Sequence, residues 1–326
     1  MKIIQLICWK LIVIFHNQNN LIFIMRYRCF LLLLVIPIII FSCKGDNEAP
    51  VDDDGIITGL QTKTFSHDNV NRNYLIYIPN SYDPEIDYPL MFLFHGFGGI
   101  ASEFANTADM RDLAESKNFI VVYPQGLNLP GDSGSHWNCS NPSADNKSNV
   151  DDIGFIENLI DQLLIDYPVI DNKRIYAAGY SNGGFMSYYL GCNSKKFAAI
   201  GSVAGTMLDD SYQSCDALLP TAMINIHGTD DFDVPYAGNT YYPSIPDVVD
   251  WWKNFNNTPN EDVLTNQDGS IEQYIYYNDA GDRYVEHIKI IGGSHYWDDN
   301  LNYNGTNTSG LIWGFVSNYD IDGVIN

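Results

Sequence analysis

The stretch IYAAGYSNGGFMSYYLG, residues 175–191, joins a short apolar run to a helical one through a turn centred on Ser181. Gly179-Tyr180-Ser181-Asn182-Gly183 fits G-x-S-x-G, a sharp strand-to-helix turn that lifts a serine hydroxyl clear of the backbone. Glycines are needed on both sides because a side chain beside such a turn would collide with the adjoining strand and helix. A five-residue pattern recurs by chance, and Ser181 alone could be an ordinary turn residue. The context gives the pattern weight: a strand ends near Ala178 and a helix is expected from about Gly183 to Gly191. The amides at that helix start also favour negative charge beside the serine.

Working outward, the same alternation of strand and helix continues. YPLMFLFHG (88–96) and FIVVYPQG (119–126) are nearly unbroken apolar runs ending at Gly, as strands covered on both faces of a parallel sheet are. FAAIGSVAG and TAMINIHG read the same way. NYLIYIP (73–79) alternates and reads as an early antiparallel strand; EQYIYYN and YVEHIKIIG are late strands. SEFANTADMRDLAESKN has helical spacing, DVVDWWKNF is a helix, and GLIWGFVSNY is a closing helix. VDDIGFIENLIDQLLIDYP (150–168) is the clearest helix, with Asp151 or Asp152 placed to cap its start. The expected fold class is therefore α/β: a mostly parallel central sheet with helices on both faces. Residues 127–149 interrupt this rhythm with a Gly/Ser/Asn/Pro-rich loop, long enough to act as a lid or binding loop, or to be a surface insertion.

A serine hydroxyl is a weak nucleophile until a base takes its proton. In this architecture the order along the chain is serine, acid, histidine, and three histidines follow Ser181. His227 precedes every plausible acid, and His287 lies inside an alternating strand. His295, in IIGGSHYW, follows a strand and two glycines, where a base reaching toward the turn should lie. For the acid, IHGTDDFDVPY offers Asp230, Asp231 and Asp233 in one loop; the residues alone do not separate them, and each could be a turn-forming Asp.

FLFHGFGG, VDDIGFI, GYSNGG, HGTDDFDVPY and GGSHYW, in this order and spacing, resemble the α/β-hydrolase esterases of the polyhydroxybutyrate depolymerase and feruloyl or acetylxylan esterase group. The resemblance covers about Asn73 to Tyr319. It implies the α/β-hydrolase fold and a Ser181–Asp231–His295 triad, since the group's acid stands three residues before Val-Pro-Tyr. It implies an oxyanion hole of two backbone N–H groups, Asn182 and Phe97, with Gly98 the alternative to Phe97, and a structural rather than catalytic His95. Trp137, Tyr180 and Trp297 are candidates for the substrate pocket, with core packing the competing role for the tryptophans. No cofactor is implied, and the absence of CxxC and His clusters suggests no metal site. The substrates implied are feruloyl or acetyl esters of plant polysaccharide; alternatives are a hydroxyalkanoate polyester, a serine peptidase, or an inert surface binding protein, which would be expected to lack a triad member.

The first 42 residues differ from the rest, with four basic and no acidic side chains and two apolar blocks. Arg26 and Arg28, an apolar run from Cys29 to Phe41, and Ser42-Cys43 have the layout of a secretory leader with a lipidated cysteine; Met25 is then the expected true start. Four of the 17 basic residues lie in this leader, which leaves 13 against 40 acidic, formally −27 over 284 residues. Such a charge argues against nucleic acid or an anionic membrane surface as partner. The organisation expected is a leader (1–42), an acidic tether (43–59) and one catalytic domain (60–326). The protein is then an exported monomer, in the periplasm or on the cell surface and held to a membrane only by lipid. In an oxidising compartment Cys192 and Cys215, flanking one strand and its loop, are the better disulfide pair, with Cys139 left over.

Overall fold

The computed structural model describes residues 55–131, 134–140 and 148–325. The leader, Cys43 and most of the tether lie outside the described residues. In chain order the elements are β1 (Gly59–His67), β2 (Val70–Ile78), β3 (Tyr88–Phe94), α1 (Ala101–Thr107), α2 (Arg111–Lys117), β4 (Ile120–Pro124), β5 (Leu127–Asn128) and β6 (Ser135–His136). Then follow α3 (Asp152–Asp166), β7 (Ile170–Tyr180), α4 (Asn182–Asn193), β8 (Ala199–Val203), α5 (Asp209–Ser214), β9 (Ala222–Gly228) and α6 (Ile245–Phe255). The chain closes with β10 (Asn260–Thr265), β11 (Ile271–Tyr277), β12 (Arg283–Ile290), α7 (Thr308–Val316), β13 (Tyr319–Asp320) and β14 (Gly323–Val324).

Ten strands form one sheet in the order β1-β2-β4-β3-β7-β8-β9-β12-β11-β10. The six from β4 to β12 run parallel, and each edge is finished by antiparallel strands. β3, β4, β8 and β9 are buried throughout, as their unbroken apolar runs require. In β3, Leu90, Phe92 and Phe94 point into one core and Met91 and Leu93 into the other. The first core is covered by α3, α4 and α6 through Phe155, Ile156, Tyr188, Val248 and Trp252; the second by α1, α2 and α7 through Phe104, Ala114, Ile312 and Trp313. Among the described residues, no helix is long and apolar enough to cross a membrane.

The structure adds detail at three places. The fold begins slightly ahead of Leu60, because Thr58 is buried and β1 starts at Gly59. The helical stretch after β3 is two helices, α1 and α2, broken at 108–110, where Met110 and Ala108 are buried and both backbones engage the Tyr123 hydroxyl. Asp151 and Asp152 divide their roles. Asp151 caps α3 by accepting from the Gly154 N–H, whereas Asp152 is buried, accepts from Arg72 Nη2 at 2.6 Å, and accepts from the Asn138 N–H at 2.7 Å.

Arg72 also lies 4.0 Å from the centre of the Phe155 ring. Burial pushes the Asp152 carboxyl up, and the charge of Arg72 and the Asn138 N–H oppose it. Removing one member of such a pair strands the other charge, which costs about 3–5 kcal/mol. Asp152→Ala should therefore lower the urea midpoint sharply at an unchanged m-value, and the double variant with Arg72→Met should regain much of the loss.

Candidate active site

Ser181 stands between β7 and α4 with φ 53° and ψ −121°, a backbone region that costs a non-glycine residue about 1–3 kcal/mol. The surrounding contacts enforce it. A Cβ on Gly179 would meet the Gly183 carbonyl at 2.3 Å, and one on Gly183 would meet the Phe94 oxygen at 2.0 Å. The two glycines of the pattern are thus the price of bringing β3, β7 and α4 together at the serine.

The acid and the base come from the ends of β9 and β12, neighbours in the sheet. His295 Nε2 lies 2.9 Å from Ser181 Oγ, and His295 Nδ1 lies 2.7 Å from Asp231 Oδ2. Asp231 is buried, while Asp230 and Asp233 are exposed. Its Oδ1 accepts the N–H groups of Asp233 and Val234 at 3.0 and 2.8 Å. Burial acts to raise this carboxyl; the hydrogen bonds from His227, His295 and the Val234 N–H outweigh it and hold the group well below the usual carboxylate range. Asp231 therefore stays charged beside the imidazole.

The two loops carrying acid and base are joined along their length. Thr229 N–H donates to Ile290 O at 2.9 Å, Asp230 N–H to Gly293 O at 2.8 Å, and Gly292 N–H to Thr229 Oγ1 at 2.8 Å. From the serine side, the Tyr180 hydroxyl donates to the His295 carbonyl at 2.9 Å.

Of the two amides expected beside Ser181, Asn182 is the first residue of α4, so its N–H has no partner within the helix. Gly98 N–H donates to Ser135 O at 2.7 Å, whereas Phe97 lines the cavity over Ser181. That turn touches the nucleophile: a Cβ on Gly96 would lie 3.3 Å from Ser181 Cβ. His95 beneath it is buried; its Nε2 accepts the Gly126 N–H at 3.0 Å and its Nδ1–H donates to Gly96 O at 2.7 Å. Burial lowers its pKa to about 4, so it is a neutral brace for the turn. His287 is likewise buried and bonded to the Tyr236 hydroxyl at 2.8 Å.

A cavity of about 420 Å³ opens over Ser181 and His295, walled by Phe185, Leu208, Val234 and Tyr242 with Asn138 and Asp233 as polar points. Tyr180, one of the pocket candidates, lines it, and so does Phe97. Trp137 borders it but is 1 % exposed; its indole N–H donates to the His95 carbonyl at 3.0 Å and its ring packs edge-on against Phe94. Its main role is to hold the wall. Trp297 does not line this cavity: it is buried against Phe104, with its N–H directed at Asp299 and Ser309. Adjacency to His295 in sequence misled here, because the turn after the histidine directs residue 297 toward α1. The donors of Asp231, Asp233 and His295 fall within 4.8 Å of one another, but those of Asp231 and His295 already bond each other and Ser181, which suits a proton relay better than a metal.

Part of the long loop reaches the site. Residues 136–140 run along the cavity, while 132–133 and 141–147 lie outside the described residues. The side chain of Asn182 grips this segment: Oδ1 accepts the Trp137 N–H at 2.7 Å and Nδ2 donates to the Trp137 carbonyl at 3.1 Å. Nδ2 also lies 3.4 Å from the buried Cys139 sulfur. Cys192 and Cys215 form the expected disulfide, tying α4 to the end of α5. Asn182→Ala keeps the backbone amide but frees the wall. It should lower kcat/KM on a bulky acyl ester by roughly 10-fold or more, about one or two lost hydrogen bonds, with a smaller loss on acetyl esters. Equal losses on both would show that the clamp does not shape the wall.

Sequence reasoning passed over His227 and the Asn182 side chain. His227 donates from Nε2 to Val234 O at 2.9 Å and lies 3.3 Å from Asp231 Oδ2, bracing the acid's loop. Its position four residues before Asp231 was the available signal.

The sequence profile of the phospholipase/carboxylesterase family matches residues 85–250, just over half of the 326. The chain belongs to this family. Among curated proteins it is 25 % identical over 268 residues to a bifunctional acetylxylan esterase/xylanase of Neocallimastix patriciarum, covering 78 % of this chain and 34 % of that one. It is 28 % identical over 222 residues to feruloyl esterase D of Neurospora crassa, covering 63 % and 69 %. To feruloyl esterase B of Piromyces equi it is 26 % identical over 265 residues, 77 % of this chain but 46 % of that protein. The chain thus spans under half the length of two of these three relatives. Among solved structures, an acetyl xylan esterase from Aspergillus awamori superposes with a TM-score of 0.58 at 17 % identity, over 79 % of this chain and 99 % of that one. This phospholipase/carboxylesterase member has the α/β-hydrolase fold.

Proposed function

We propose that the chain is an exported serine carboxylic-ester hydrolase acting on feruloyl or acetyl esters of plant polysaccharide. The observation that carries the reading is the unbroken relay from Ser181 through His295 to buried Asp231, at the floor of an open cavity. Ser181 Oγ attacks the ester carbonyl as its proton passes to His295 Nε2; Asp231 stabilises the imidazolium, and the amides of Phe97 and Asn182 receive the oxyanion. The tetrahedral intermediate collapses as His295 returns the proton to the departing alcohol oxygen. Water, deprotonated by the same imidazole, then releases the acid and restores Ser181.

The relatives that are named for acetylxylan and feruloyl esters support the substrate class. A cavity of about 420 Å³ with an aromatic and aliphatic wall favours an aryl acyl group over acetyl. Export through residues 1–42, with lipid at Cys43, belongs to the same proposal. Methyl ferulate, acetylated xylan, short nitrophenyl esters and hydroxybutyrate oligomers offered to the purified domain test it. Turnover of the first or second, above that of the oligomers, is the expected result; preference for the oligomers would replace this reading with a polyester hydrolase.

A further inference from the structure

Exposed aromatic side chains that the relay does not use stand on the loops that carry it. Phe232 is 90 % exposed, Tyr296 68 % and Tyr241 61 %. Phe232 directly follows Asp231, and Tyr296 directly follows His295. Tyr241 precedes Tyr242, a cavity wall residue whose ring lies 6.4 Å from its own. Single exposed rings are ordinary on a protein surface; here two are carried by the hydrogen-bonded loops that supply acid and base, and the third packs near a cavity wall residue.

Beyond Tyr296 lies a second, more open hollow of about 440 Å³, walled by Asn106, Thr107, Asp298, Asp299 and Asn300 along with Trp297. Tyr296 borders it and directly follows His295, which lines the first cavity.

The chemistry of this surface narrows its partner. Segments 229–242 and 291–300 hold five Asp and no Lys or Arg. Exposed Asp230, Asp233, Asn239, Thr240, Ser294 and Asn300 are interleaved with the rings. A polyanion would be repelled, and a wholly apolar surface would desolvate these carboxylates and amides without giving them hydrogen bonds. A neutral polyhydroxylated chain satisfies both: its C–H faces lie on the rings while its hydroxyls donate to Asp and Asn oxygens.

We propose that Phe232, Tyr241 and Tyr296 form a platform that binds the neutral polysaccharide chain flanking the ester, separate from the cavity that receives the acyl group. The proposal rests on the polysaccharide-ester reading above, and the experiment separates the two. The triple variant Phe232→Ala/Tyr241→Ala/Tyr296→Ala, each single variant and the unaltered protein are compared in binding to ester-free xylan, in binding to a hydroxybutyrate polyester film, and in hydrolysis of a short nitrophenyl ester and of xylan-borne ester. The expected result is at least a 10-fold loss of xylan affinity and a similar rise in KM on the polymer, with kcat and the small-ester rate within twofold. Unaltered xylan binding, an equal fall on small and polymeric esters in the triple and every single variant, or loss confined to the polyester film overturns the platform. If the unaltered protein binds ester-free xylan through these rings yet cleaves no polysaccharide ester, the platform stands and the substrate reading fails.

Discussion

Ser181→Ala is expected to lower turnover of any ester by roughly 10⁶-fold in kcat, the scale seen when a serine nucleophile acting with its base is removed. The variant should fold normally. Alanine keeps the Cβ that the cramped turn already accommodates beside Gly96, and the Ser181 N–H still reaches the Val203 carbonyl at 2.9 Å. A circular dichroism melt matching the parent, with esterase activity at background, is the outcome to look for. Retained activity would remove Ser181 from the mechanism and with it the whole relay.

The second large effect concerns which carboxylate is the acid. Asp231→Asn keeps the shape but offers an amide where His295 needs a charged acceptor for its Nδ1 proton, and such an exchange costs about 10⁴-fold in kcat. Asp233→Asn, at a side chain that borders the cavity without touching His295, should change kcat by only a few fold, and Asp230→Asn less. Measuring all three under one substrate resolves the assignment; a loss concentrated at position 230 or 233 would contradict it. Because its folded pKa is depressed, Asp231 also adds stability that is present above the ordinary carboxylate range. That stability falls away as the pH drops toward the folded value. Asp231→Asn should therefore flatten the acid limb of a stability-versus-pH curve.

The parts of the fold that sequence revealed are those where burial leaves no freedom. β3, β4, β8 and β9 are apolar throughout because both faces are covered, and the Ser181 turn is marked by glycines that sterics demand. β1 and β10 went unread for the opposite reason. β1 is half exposed along its length and β10 is exposed nearly throughout, so their residues answer to hydrogen bonding at a sheet edge rather than to a core. The turn joining β1 to β2, Asp68-Asn69 with φ 51° and 61°, was the local clue to that hairpin.

Within the site, order along the chain placed His295, but the residues alone could not tell Asp230, Asp231 and Asp233 apart. Which of them turns inward depends on how the 233 and 234 amides fold back onto one carboxylate, a detail no composition records. Trp297 shows the same limit from the other side. Two residues past a catalytic candidate, a loop side chain points wherever its turn directs it, here to Phe104.

The hydrogen bonds that lace residues 229–230 to residues 290–293 have a mechanical corollary. Aspartate and imidazole are expected to move together on the ends of two adjacent strands, while the serine, two strands from the nearer of them, is linked to the base's backbone through the Tyr180 hydroxyl. Breathing of the enzyme should then register in the gap between oxygen and imidazole while the inner couple keeps its spacing. Nuclear magnetic resonance of the imidazole nitrogens would read that asymmetry directly, as exchange broadening at Nε2 beside a steady signal at Nδ1.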